Sequence, residues 1–269
     1  MKPITFSDLY DYNYSVEVLN ALRQNWASTD YFSCIGSPKE KNMLLYLSDC
    51  RAEYTLKSGE KFYAQNGDIV FTPINYEYTV RFYELKPESY TIGVNFFIFD
   101  RNSTSFIPDR NICVFNIADS AIESYFSILE KTSCSAVSSP AIMKAALYEI
   151  LTKISISLRN KRLMQQKYSV ISEGIKYLET DETQSLSVKE LADLCNVSEV
   201  YFRRLFTEYS GYSPIQYRLR NKIEKAKILL KYDNLTINEI SDRLGFVSSA
   251  YFTKIFKAST GKTPSGFRK

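Results

Sequence analysis

A block near the C-terminus occurs twice, fifty positions apart: Tyr201–Arg218 reads YFRRLFTEYSGYSPIQYR and Tyr251–Arg268 reads YFTKIFKASTGKTPSGFR. The aromatic pair, a Phe, a Gly, a Pro and the closing Arg all recur at one offset (Tyr201/Tyr251, Phe202/Phe252, Phe206/Phe256, Gly211/Gly261, Pro214/Pro264, Arg218/Arg268). Self-similarity at a fixed period means one supersecondary unit used twice. That constraint governs the last hundred residues before any other feature is considered.

The unit reads as two short helices joined by a tight turn. Val188, Leu191, Ala192 and Cys195 fall at i, i+3, i+4 and i+7, one apolar stripe. Ser187 with Glu190 three positions on has the spacing of a capping box. Asn196 supplies the left-handed turn and Ser198 caps a second helix, whose buried side is Tyr201, Phe202, Leu205 and Phe206. Val200, Arg203, Arg204 and Thr207 fall on its other side. In the second copy Thr236 caps, Ile237, Ile240 and Leu244 pack, Gly245 turns and Ser248 caps. There Phe252, Ile255 and Phe256 face inward, and Ser249, Ala250, Thr253 and Lys254 outward. Between the copies Ile215–Asn234 is expected to form a linking helix on Tyr217, Leu219, Ile223, Ala226 and Leu230. About fifteen residues of helix span some 22 Å, enough to hold two reading helices about one DNA turn, roughly 34 Å, apart.

These residues resemble the DNA-binding domain of the AraC/XylS family of transcription regulators, over Tyr168 to Lys269. The most specific part is the closing run LTINEISDRLGFVSSAYFTKIFKASTGKTPSGFRK. The resemblance implies two helix-turn-helix units on double-stranded DNA, with base contacts from the start and outer face of each second helix. Carried onto this chain, the first unit offers Val200, Arg203, Arg204 and Thr207. The second offers Ser249, Ala250, Thr253, Lys254 and Lys257. Arg203 and Arg204 have the planar donor fork that reads guanine, while Lys222, Lys225, Lys257 and Lys262 suit phosphates.

Charge divides the chain in the same place. Residues 161–269 hold 19 Lys and Arg against 12 Asp and Glu, a net of +7, and residues 1–160 hold the remaining 15 and 18, a net of −3. A basic half beside a mildly acidic one fits a protein of which one half meets a polyanion.

The first half has a different grammar. Between Asn42 and Phe99, short runs rich in Tyr, Val, Ile and Phe are separated by turn chemistry such as Ser58–Glu60 (SGE) and Asn66–Asp68 (NGD). Tyr76, Tyr78, Val80 and Phe82 alternate with polar residues, as in a half-buried strand. Many short strands at even spacing imply an antiparallel barrel or sandwich. The pattern over residues 10–110 resembles the cupin-like effector domain that precedes many AraC-type DNA-binding domains. Metal-dependent cupins bind their ion through histidines, and this chain has no histidine. The usual nitrogen ligand and the usual neutral-pH base are both missing. With no paired carboxylates, nucleophile elbow or phosphate loop in view, no catalytic residue, cofactor or metal is expected, and the barrel is expected to bind rather than transform.

Tyr46, Arg51, Tyr54, Tyr76 and Tyr78 are the candidates for lining a small-molecule pocket, for a sugar or another polar metabolite. Equally, such rings can simply fill the interior. The segment Lys2–Trp26 is, by the resemblance, a candidate arm closing over a ligand, with Trp26 a core anchor. ADSAIESYFSILEKT and PAIMKAALYEILTKISISLRNK read as two amphipathic helices around the loop Ser133–Pro140. Their stripes are Ile122, Tyr125, Phe126, Leu129 and Ile142, Ala146, Ile150, Ile154, Leu158. They serve homodimerisation in such a family, or pack against the barrel. A polar connector is expected at Arg159–Lys167.

The expected architecture is therefore multidomain. An all-β cupin-like barrel covers 1–115, a helical dimerisation segment 116–160, and an all-α DNA-binding domain with two helix-turn-helix units 161–269. Five scattered cysteines without a CxxC pair read as thiols in a reducing compartment. No apolar run is long enough for a membrane span and no signal-peptide pattern opens the chain, so the expected setting is the cytoplasm. RNA polymerase is the expected further partner.

Overall fold

A computed structural model describes residues 4–26, 31–117, 119–136, 138–180, 186–232 and 235–268. The chain divides into two units, Met1–Arg162 and Leu163–Lys269. Lys2, where the expected arm begins, Val137 of the Ser133–Pro140 loop, and Asp233 and Asn234 at the end of the expected linking helix lie outside the described residues.

Among the described residues of the first unit, nine strands follow a 3-10 turn at Asp8–Tyr10: β1 (Tyr14–Asn25), β2 (Tyr31–Ser33), β3 (Asn42–Ser48), β4 (Arg51–Leu56), β5 (Lys61–Ala64), β6 (Ile69–Thr72), β7 (Tyr78–Tyr83), β8 (Tyr90–Asp100) and β9 (Cys113–Phe115). All strand pairs are antiparallel, in a five-stranded sheet β1-β8-β3-β6-β9 and a four-stranded sheet β2-β7-β4-β5. Among the described residues no ladder joins the sheets, so they do not close into a barrel. The edge strands β2 and β9 are three residues each, too short to carry pairing around a corner.

Strand parity sets the layers. Met43, Leu45 and Leu47 of β3 join Ala52, Tyr54, Val80 and Phe82 in one core cluster, on the side where the sheets meet. Leu44 and Tyr46 enter the other cluster, which the helices α1 (Ile122–Ser133) and α2 (Pro140–Ser169) cover with Ile122, Phe126, Leu129, Leu147, Ile150 and Ile154. The five-stranded sheet is thus buried on both faces, which is why β3 reads as an unbroken apolar run. The turns at Gly59 (φ 87°) and Gly67 (φ 85°) need the left-handed backbone, and both sit where turn chemistry was expected.

Two helix readings change. The buried stripe of α2 runs through Met143 and Leu147, while Ile142 is exposed. The stretch Arg159–Lys167, expected as a connector, lies inside α2, since RNKRLMQQK has no Gly or Pro and is rich in strong helix formers.

The second unit is all helix: α3 (Ser172–Thr180), α4 (Val188–Leu194), α5 (Glu199–Ser210), α6 (Pro214–Tyr232), α7 (Ile237–Arg243), α8 (Ser249–Thr260) and α9 (Pro264–Arg268). It has two cores. Ile171, Ile175, Leu178, Val188, Leu191, Phe202, Leu205 and Phe206 form the first. Ile223, Ala226, Leu230, Ile240, Leu244, Phe246, Phe252 and Phe256 form the second. Helix α6 serves both, giving Tyr217 to the first and Ile223, Ala226 and Leu230 to the second. Its 19 residues make a rod of about 28 Å. In the first core α3 lies so close to α5 that a Cβ on Gly174 would stand 2.4 Å from Phe202 Cε2.

Candidate functional site

Each helix-turn-helix is fixed by the same local bonds. Ser187 Oγ accepts from Glu190 N (3.2 Å) while Ser187 N donates to Glu190 Oε2 (2.6 Å). Thr236 and Glu239 repeat this at 3.2 and 2.7 Å. These capping bonds hold both glutamate carboxyls below the usual carboxylate range. Asn196 (φ 54°) and Gly245 (φ 63°) make the turns, closed by Val197 N donating to Ala192 O and Phe246 N to Ser241 O, each at 3.0 Å. Ser198 Oγ and Ser248 Oγ then accept from Tyr201 N and Tyr251 N, opening α5 and α8. Gly211 and Gly261 end them in the left-handed conformation. The repeated arginines complete the frame: Arg218 donates to Leu186 O, and Arg268 to Leu235 O, each to the residue just before a capping box.

This frame leaves one face of α5 and α8 in solvent. Val200, Arg204 and Thr207 are exposed and Arg203 half-buried on α5; on α8, Ala250, Lys254 and Lys257 are exposed and Ser249 and Thr253 half-buried. The arginines differ. Arg203 is tied to Glu199 through Nε and Nη2 (2.8 and 2.5 Å), whereas Arg204 lies over the Tyr201 ring at 5.2 Å. Among the expected phosphate contacts, Lys257 and Lys262 are exposed and Lys225 half-buried. Lys222 is placed otherwise. Its Nζ donates to Gly245 O (2.9 Å) and lies over the Phe246 ring, so it braces the second turn, and burial lowers its pKa. The sequence reading missed Val247, 95 % exposed immediately before Ser248. The signal was available, since GFVS in the second turn is one residue longer than NVS in the first.

A second site lies in the first unit. A cleft of about 150 Å³ opens between the sheets, walled by Trp26, Phe32, Met43, Leu45, Val80 and Phe82, with Gln24, Tyr54, Tyr78, Thr91, Asn95 and Lys39 as polar lining. Trp26 stacks on Phe82 at 4.0 Å and donates Nε1–H to Thr91 Oγ1 (2.9 Å). Of the five expected lining residues the structure brings together Tyr54 and Tyr78, 5.5 Å apart between ring centroids. Burial raises both phenol pKa values. Tyr46 is on the far face of β3, stacked on Phe126 and donating to Glu123 Oε2 (3.4 Å). Arg51 faces solvent and pairs with Glu84 (3.0 Å). Tyr76 precedes β7, held next to the turn at Asn75 (φ 60°). Arg51 and Tyr54 are three apart on one strand, so parity alone forbids both from facing inward. Thr91 and Asn95 were also legible, as polar residues on alternate positions of the otherwise apolar β8.

A helix-turn-helix domain family model matches residues 191–269. The bifunctional transcriptional activator/DNA repair enzyme AdaA of Bacillus subtilis is 31 % identical over 94 residues, 35 % of this chain and 44 % of that protein. The transcriptional activator AggR of Escherichia coli is 25 % identical over 252 residues, covering 83 % of this chain and 89 % of AggR. Residues 191–269 form a helix-turn-helix domain shared with these regulators. A solved structure of an AraC-type DNA-binding domain-containing regulator from Chromobacterium violaceum is 26 % identical over 38 % of this chain and 92 % of its own, with a TM-score of 0.35. The chain spans less than half the length of AdaA. Among the described residues no helix is long and apolar enough to cross a membrane.

Proposed function

We propose that this chain is an AraC-type transcription regulator whose second unit reads DNA through α5 and α8 and whose first unit binds a small effector. The observation that carries the reading is the duplicated frame of caps, turns and repeated arginines, which presents two helix faces with little of their polar surface spent on the fold. Arg204 and Arg203 suit guanine, and Thr207, Ser249, Thr253 and Lys254 supply further polar contacts. Val200 and Val247 suit apolar contact with thymine methyls, and Lys225, Lys257 and Lys262 the phosphates. The net +7 of residues 161–269 supports a salt-dependent attraction to the duplex.

The effector would sit in the inter-sheet cleft and shift DNA affinity by binding two states unequally. The sugar suggested by the sequence drew on Tyr46, Arg51 and Tyr76, which lie outside the cleft, so its support is now Tyr54 and Tyr78 alone. A homodimer, contact with RNA polymerase and a cytoplasmic setting complete the proposal, and the chain's role is binding rather than catalysis. The test is a gel-shift titration of the full chain on duplex DNA from upstream of its own gene. Binding should fall linearly in log–log form with salt and tighten for one segment over scrambled duplex. Equal affinity for every duplex contradicts the proposal.

A further inference from the structure

The cleft between the sheets is chemically lopsided. Its walls are aromatic and aliphatic, and among the described residues lining it there is one cation, Lys39, and no Asp, Glu or Arg. The Lys39 ammonium is half-buried. The contacts it makes are soft ones: Met43 Sδ at 3.2 Å and the Phe32 ring at 4.8 Å. Burial lowers its pKa, as expected for a cation held away from water with no carboxylate among the described lining residues.

Two further polar groups in the lining are unsatisfied. Tyr54 is 0 % exposed, and its hydroxyl has no hydrogen-bond partner among the described residues. Its ring is fixed by stacking on Phe62 at 4.9 Å, so the hydroxyl cannot swing out to water. Asn95 donates through Nδ2 to Asn20 Oδ1 (2.7 Å), while its own Oδ1 is buried without a partner. A buried polar atom without a partner needs an explanation, and a ligand that completes the site supplies one.

We propose that this cleft takes a small monocarboxylate with a compact apolar body, with Lys39 as its counter-ion and the Tyr54 hydroxyl as a donor to it. The body lies along Trp26, Phe82, Val80 and Leu45, and the Asn95 oxygen accepts from any hydroxyl or N–H it carries. A volume of about 150 Å³ is below the roughly 300–1,000 Å³ of sites for drug-sized ligands, which keeps the acid short. A sugar fits this lining less well, because Trp26, Phe32, Met43, Leu45, Val80 and Phe82 offer its hydroxyls no hydrogen-bond partner. An amine fits worse, since the described lining offers it no carboxylate. This inference rests on the reading of the cleft as the effector site and narrows it to a chemical class.

Trp26 is the chain's one tryptophan and lines the cleft, so its fluorescence reports occupancy directly. The full chain is titrated with hexanoate, 4-methylpentanoate and phenylacetate, each beside its primary amide, and with a set of monosaccharides, while thermal unfolding is followed in parallel. At least one acid should shift Trp26 emission saturably and raise Tm, with its amide weaker by about tenfold or more through loss of the charge-assisted contact. Lys39→Met should abolish the preference for acid over amide. Lys39→Gln serves the same end if the first variant folds poorly, and Tyr54→Phe should weaken the acid while leaving the fold's Tm close to wild type. Tyr46→Phe, on the opposite face of the sheet, should leave acid binding unchanged. Equal binding of acid and amide, binding of monosaccharides alone, or unchanged acid binding in Lys39→Met overturns the carboxylate assignment and leaves the effector cleft standing. No response to any compound overturns both.

Discussion

The two helix-turn-helix units share a scaffold and differ in what they present. Capping boxes, turn bonds, C-terminal glycines and the arginine-to-carbonyl bonds recur position for position. The exposed faces do not: Arg203 and Arg204 on α5 stand where Thr253 and Lys254 stand on α8. The second turn also contains one extra residue, the exposed Val247, and is braced by Lys222. Repetition has kept the residues that build the motif, and divergence is concentrated on the surface free to meet a partner. The exposed face of α5 carries two arginines and that of α8 two lysines, so the first offers planar donor forks and the second point charges.

The comparison can be broken first at its cores. Phe206→Ala and Phe256→Ala remove equivalent, fully buried rings, and each should cost about 3–5 kcal/mol. Urea denaturation of the full chain checks this, and a large cost for one with little for the other would deny that the units are equivalent. Next come the reading faces. Arg204→Ala should lose about 1–3 kcal/mol of discrimination at one base pair, whereas Lys257→Ala should weaken binding to all duplexes alike and flatten the salt dependence. Arg203→Ala should cost less than Arg204→Ala, since its guanidinium is already engaged by Glu199. Competition binding between matched and single-substituted duplexes separates the three.

Smaller still, Ser198→Ala and Ser248→Ala each remove an N-cap and should cost about 1 kcal/mol, equally in both units, by thermal unfolding. The smallest effect is on acid. Glu190 and Glu239 have folded pKa values below the ordinary 4.5. Their stabilisation is present above that value and is lost as pH falls through the lowered one. Both units should therefore weaken together on the acid side of about pH 4.5. In Glu190→Gln the loss of helix circular dichroism with falling pH should be shallower.

What the sequence made legible follows from how local the physics is. Caps, turn residues and 3.6-residue stripes are written within a few positions, so Ser187, Asn196, Ser198 and their second copies were identifiable before any coordinates. The cleft was harder to see. β3 is buried on both faces, so NMLLYLS has no alternation to show that Tyr46 points toward the helices. Tyr76 shares parity with Tyr78 but falls outside the strand, because Asn75 turns the chain just before it. Lys39 comes from the loop before β3, where sequence spacing has no bearing on which cavity a side chain reaches. Lys222 looked like any basic residue on a helix until Gly245 O stood 2.9 Å from its ammonium.

The central claim is that α5 and α8 read one duplex together, set apart by α6. Hydroxyl-radical footprinting of the full chain on a selected duplex tests it most directly. The account predicts two protected patches about one helical turn, roughly 10 base pairs, apart on one face, with Arg204→Ala eroding one patch and Lys254→Ala the other. A single patch that both substitutions weaken equally, or no protection at low ionic strength, would contradict it.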